Sequence, residues 1–94
     1  MFVLHVELQV KPGAEQDLEK TYNETFRPAI SQQEGFQAVG LLRPLDEAKN
    51  YILTILFEDR ARQQKWVASD LHQQVWSQME SLCAGYIVNG YDTV

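Results

Sequence analysis

The chain has 94 residues, 45% of them hydrophobic, and a formal net charge of −5. That length reads as one domain spanning residues 1–94, with a globular rather than disordered composition. The eight lysines and arginines are scattered, and no stretch approaches the ~20 apolar residues of a membrane span. Nucleic acid and anionic membrane are therefore not expected partners, since both require clustered cations. A lone cysteine, Cys83, excludes an intramolecular disulfide and fits a reducing cytoplasm. The apolar start MFVLHVELQV lacks the basic n-region of a signal peptide.

Residues 2–10 alternate, with Phe2, Leu4, Val6, Leu8 and Val10 on one face, and period two predicts a strand. Lys11-Pro12-Gly13 ends it. Over residues 14–33, Ala14, Leu18, Tyr22, Phe26, Ala29 and Ile30 recur at helical spacing. Pro28 interrupts that helix, predicting a kink near Glu24 to Arg27 or a restart at Pro28, and Gly35 is the expected stop.

Residues 36–43 predict a second strand, residues 44–50 a polar loop, and the run YILTILF over 51–57 a third strand. That strand is apolar on both faces except at Thr54, so both faces should be covered. Asp59 is placed to cap a short helix at about 60–68. Ser69 or Asp70 caps another at about 71–82, with Asp70 and Gln73 resembling a capping box. Leu71, Val75, Met79 and Leu82 form its apolar stripe, bordered by His72, Trp76 and Cys83. A last strand follows over 86–93.

The order β-α-β-β-α-β, with the second helical element broken, predicts an α+β ferredoxin-like fold: an antiparallel sheet with helices on one face. The other face, expected to carry Val3, His5, Val39, Leu41 and alternate residues of the third strand, would be a bare apolar patch. Such a patch marks an interface, and a second copy packed sheet to sheet is the economical occupant. A cavity can then open between sheet and helices.

Chemistry is sparse. His72 and Trp76 lie four apart on one helix, so their rings can touch, and His72 is a candidate base or hydrogen-bond donor. Trp66, in the polar stretch QQKWVAS, is divided between a cavity wall and a plug over the core. Tyr22 and Tyr51 are candidate donors beside these walls. His5 and Glu7 read as a polar patch of the interface. No HxH, CxxC, HExxH, GxGxxG or P-loop spacing occurs, so neither metal nor flavin nor any other cofactor is expected.

The opening strand ending in KPG, the segment QQEGF, the strand YILTILFED and the stretch WVASDLHQQVW together resemble the antibiotic biosynthesis monooxygenase (ABM) family. The resemblance covers nearly the whole chain and implies a dimeric α/β barrel built from ferredoxin-like protomers. It implies either a cofactor-independent monooxygenase or a protein without known activity. The first would use O₂ on a small electron-rich aromatic such as a quinol or an anthrone-like phenol. In this reading His72 is catalytic, and Trp66, Trp76, Tyr22 and Tyr51 bind substrate. A non-enzymatic binding protein using the same cavity is the alternative, and a haem-binding or haem-degrading protein is the third. The haem-degrading branch has a strand Asn, a helix Trp and a later His. Trp66 matches the Trp, but Val6 and Trp76 occupy the other two positions.

Overall fold

A computed structural model describes all residues 1–94. Strand β1 is Phe2–Val10, followed by helix α1 at Glu15–Thr21. A π-helical turn at Tyr22–Phe26 leads into the short helix α2 at Arg27–Ile30. Strands β2 (Phe36–Leu42) and β3 (Tyr51–Phe57) precede helices α3 (Arg60–Val67) and α4 (Asp70–Glu80), and strand β4 is Cys83–Asp92. All strand pairs are antiparallel, in the order β2-β3-β1-β4. The helices cover one face, where Leu8, Leu18, Phe26, Ile30, Leu53, Phe57 and Met79 are the most completely buried side chains.

The interruption at Pro28 takes a specific form. The Arg27 N–H bonds the Tyr22 carbonyl, a five-residue step, and Pro28 follows directly in the first turn of α2. Proline cannot donate to the carbonyl four residues back, so a one-residue expansion before it resets the ladder. The helical run ends at Ile30, before the expected residue 33. Gly35 does not cap the helix, and instead occupies the following turn with φ +81°. A Cβ there would lie 2.3 Å from Arg62 Cδ, so both conformation and space call for glycine.

The largest departure from expectation concerns β2. Phe36 pairs with Phe57, but after a register shift between Phe36 and Ala38, Val39 pairs with Ile55 and Leu41 with Leu53. The partners Phe57, Ile55 and Leu53 are core residues, so Val39 and Leu41 face the helices and pack against the core. They do not belong to the bare face. The extra residue of a β-bulge inverts the alternation on either side of it, and simple period-two counting cannot register that. The bare face carries Val3, Ala38, Leu42, Ile52, Leu56, Ile87 and Tyr91, with His5 and Glu7 among them as expected. Leu42, Ile87 and Tyr91 are 54%, 50% and 51% exposed.

Caps account for the break between α3 and α4. The Asp59 carboxylate accepts from the Arg62 N–H at 2.8 Å. The cap of α4 is Ser69, whose hydroxyl accepts from the His72 N–H at 3.2 Å. The Asp70–Gln73 capping box does not form, because Gln73 instead donates to the Val67 carbonyl. On α4, Val75 and Met79 are buried, whereas Leu71 is exposed and leaves the stripe. β4 begins three residues before the expected start, because Cys83 already pairs with Val10.

Candidate active site

The broken helix leans over one end of the sheet and leaves a cavity of about 740 Å³ beneath it. Its floor comes from Phe2, Leu4 and Val6 of β1, Leu53 and Ile55 of β3, and Tyr86 and Val88 of β4. Its roof comes from Gln63, Trp66, His72 and Trp76. Thirteen of the nineteen lining residues are hydrophobic, and the volume falls in the roughly 300–1,000 Å³ range of small-molecule sites.

Trp66 is only 2% exposed and meets Phe26 edge to face at 6.3 Å between ring centroids. It also meets His72 edge to face at 5.1 Å. The turn at Ala68-Ser69 allows this. It redirects the chain so that residues from two short helices converge, which one straight helix would not permit for positions six apart. His72 in turn lies nearly parallel to Trp76, at 6.5 Å, and Trp76 meets Tyr86 of β4 edge to face at 5.1 Å. One continuous row of rings thus runs from the core to the free edge of the sheet.

Burial lowers the His72 pKa below the ordinary imidazole value, favouring the neutral ring near pH 7. Its Nδ1 is enclosed and has no hydrogen-bond partner. Gln63, only 7% exposed, is the one buried polar residue of the chain and lines the same cavity. Sequence reading passed over Gln63. The signal was its position three residues before Trp66, on the same helical face.

Tyr22 and Tyr51, the expected donors, do not line the cavity. Tyr22 is buried against Phe26, and it is Phe26 that reaches the cavity wall. Tyr51 sits at the opposite end of β3, where its hydroxyl donates to Glu19 Oε2 at 2.6 Å. Arg43 holds the same carboxylate through two charge-assisted hydrogen bonds, so the network ties the end of β2 to α1. The Arg43 hydrogen bonds, and then that of Tyr51, hold the Glu19 pKa down at about 2. A carboxylate depressed in the folded state adds stability above its ordinary pKa of 4.5 and loses it as pH falls toward 2. Glu19→Gln should therefore lower the thermal midpoint at neutral pH, and the gap to wild type should close between about pH 4.5 and pH 2. A melting series across that range checks it.

No group of three or more His, Cys, Asp or Glu residues is arranged to hold a metal ion. No helix is long and apolar enough to cross a membrane.

A four-stranded antiparallel sheet covered on one face by helices, with an apolar cavity beneath the broken second helix, defines a ferredoxin-like α+β fold. The antibiotic biosynthesis monooxygenase family profile matches residues 1–77, and the chain belongs to that family. Solved structures agree on the fold. SnoaB, a cofactor-independent oxygenase from Streptomyces nogalater, superposes as a variant with TM-score 0.87 at 17% identity, covering 98% of this chain and 91% of that one. A conserved protein from Methanosarcina mazei Go1 gives 0.85 at 15% identity, covering 99% and 92%. A variant of MhuD with two manganese protoporphyrin IX molecules bound per active site gives 0.82 at 22% identity, covering 100% and 95%. No curated protein matches the sequence significantly.

Proposed function

We propose that the chain is a cofactor-independent monooxygenase of a flat, electron-rich aromatic such as an anthrone or a hydroquinone. The observation that carries this reading is the cavity itself: apolar, walled by the Trp66, His72 and Trp76 rings, and holding the polar side chains of Gln63 and His72. Aromatic walls favour a planar ligand through stacking and edge contacts. Family membership and the SnoaB likeness support the same chemistry.

For an anthrone the reaction is CH₂ + O₂ → C=O + H₂O. Loss of a proton gives a delocalised anion, which passes one electron to O₂. The resulting radicals combine to a peroxide at carbon, and the peroxide eliminates water to leave the ketone. The protein contributes a mostly apolar site that orients the ring and stabilises the anion at its oxygen. We place this work in a homodimer joined through the bare sheet faces, because Leu42, Ile87 and Tyr91 form a patch of a kind monomers seldom expose.

The test is oxygen uptake with a panel of anthrones and hydroquinones in the presence of a metal chelator. Protein-dependent uptake that saturates with substrate is expected. Tight binding of the same compounds without uptake above the protein-free rate would make the chain a binding protein. A parallel haem titration separates the tetrapyrrole reading, for which a Soret shift at one haem per chain is the required sign. Val6 and Trp76 occupy the positions at which the haem-degrading branch would need Asn and His, so no such shift is expected.

A further inference from the structure

The two nitrogens of His72 stand in different surroundings, and the difference fixes which proton the ring can carry. Nδ1 is enclosed and has no hydrogen-bond partner, whereas Nε2 is not so enclosed. His72 lines the cavity, and with Nδ1 enclosed Nε2 is the nitrogen left for a ligand to reach. For Nε2 to accept a proton from substrate, the ring must already hold its proton at Nδ1. Accepting a second would then leave a cation with a buried, orphaned N–H, and orphaned buried N–H groups are rare.

Three further features oppose that cation. His72 is in the first turn of α4, its own N–H bonded to the Ser69 cap, where the positive end of the helix disfavours added positive charge. No carboxylate forms a salt bridge with it. Besides His72, the ionisable residues at the cavity are Arg60, Tyr86, Asp92 and Tyr91, whose ring lies on the bare face against His5, and none of them is hydrogen-bonded to the His72 ring.

We infer that His72 is a neutral hydrogen-bond donor, with its proton on Nε2 aimed into the cavity, and not the base of the reaction. Resting on the reading that the cavity takes a phenol or anthrone, the Nε2–H bonds the substrate oxygen and strengthens as that oxygen becomes an anion. The substrate's own proton leaves to water at the open side of the cavity, and the anion stays behind on the Nε2–H. Histidine thereby acts by acidifying the substrate. The residue it resembles chemically is an oxyanion-hole amide, which predicts that an amide can replace it.

Two measurements test this. In a long-range proton–nitrogen correlation spectrum at pH 7, the His72 ring should show Nε2 protonated and Nδ1 bare. His5 is the only other histidine, so a His5→Asn variant assigns the signals. An Nδ1–H or imidazolium pattern overturns the inference. In the second, 4-nitrophenol is the probe, and its visible absorbance reports the ionised fraction when bound. Its pKa should fall on binding to wild type by about one unit, a tenfold shift in ionisation, by the strength of a hydrogen bond to a charged group. His72→Gln, which keeps an N–H donor, should retain most of that shift, and His72→Phe should abolish it. Equal behaviour of the two variants, or no fall on binding to wild type, overturns the donor role. Neither readout needs oxygen turnover. Failure of anthrone oxygenation beside a bare Nδ1 and an acidified phenol would remove the proposed reaction and leave the donor standing.

Discussion

Trp66→Ala is expected to lower the thermal midpoint by roughly 12–24 °C. Removing a buried tryptophan costs about 3 kcal/mol or more, and in a domain of this size each kcal/mol moves the midpoint by about 4–8 °C. Trp66 is both wall and plug: one edge borders the cavity, while the ring is 2% exposed and packs on Phe26 and His72. Its loss joins the cavity to the space the indole leaves and frees the His72 ring. Ligand affinity should therefore fall together with stability. Trp66→Phe should recover most of the stability, since a ring still meets Phe26. Calorimetry beside a ligand titration checks both, and a Trp66→Ala midpoint within a few degrees of wild type would show that the ring does not support the core.

The second large effect is expected at the bare sheet face. Leu56→Asp combined with Ile87→Asp should convert a homodimer into a folded monomer, because both side chains lie on the face without helices. Burying two unpaired carboxylates between sheets would cost several kcal/mol, enough to reverse dimerisation at micromolar protein. Leu41→Asp should behave differently. Leu41 pairs with Leu53 and packs against the core, so the chain should unfold rather than dissociate. Sedimentation velocity with far-ultraviolet dichroism distinguishes these outcomes. A wild-type monomer at micromolar concentration would contradict the proposed assembly.

The contrast between Leu41 and Leu56 shows where the sequence was readable and where it was not. Strand β3 is found at residues 51–57 as its apolar run predicts, and the alternation of β1 places Val6 and Leu8 correctly in the core. Both strands are uninterrupted along that stretch, so period two carries the facing. In β2 the bulge before Val39 inverts the facing, and no residue in FQAVGLL signals it. Pro28 did announce a disturbance, but sterics alone could not choose between a kink, a restart and the π-helical turn that forms.

The candidate site was legible in part for the same kind of reason. His72 and Trp76 are helical neighbours, and Trp66 is too apolar for a polar helix to leave outside, so all three could be named. Tyr22 and Tyr51 were named for their chemistry alone. Their positions depend on long-range geometry: Tyr51 is at the far end of its strand, held by Glu19 and Arg43, residues distant in sequence. Gln63 shares a helical face with Trp66, three residues on, but glutamine in a polar helix carries no sign of burial in its own chemistry. Only the fold reveals that its helix face is the cavity roof.

The most direct measurement of the central claim is the fate of isotopically labelled dioxygen in a single turnover of a bound anthrone, with metal chelated throughout. The reaction as written requires one labelled oxygen atom in the ketone and the other in water, formed faster with protein than without. A ketone oxygen drawn from unlabelled water, or label incorporation no faster than in buffer, would contradict it.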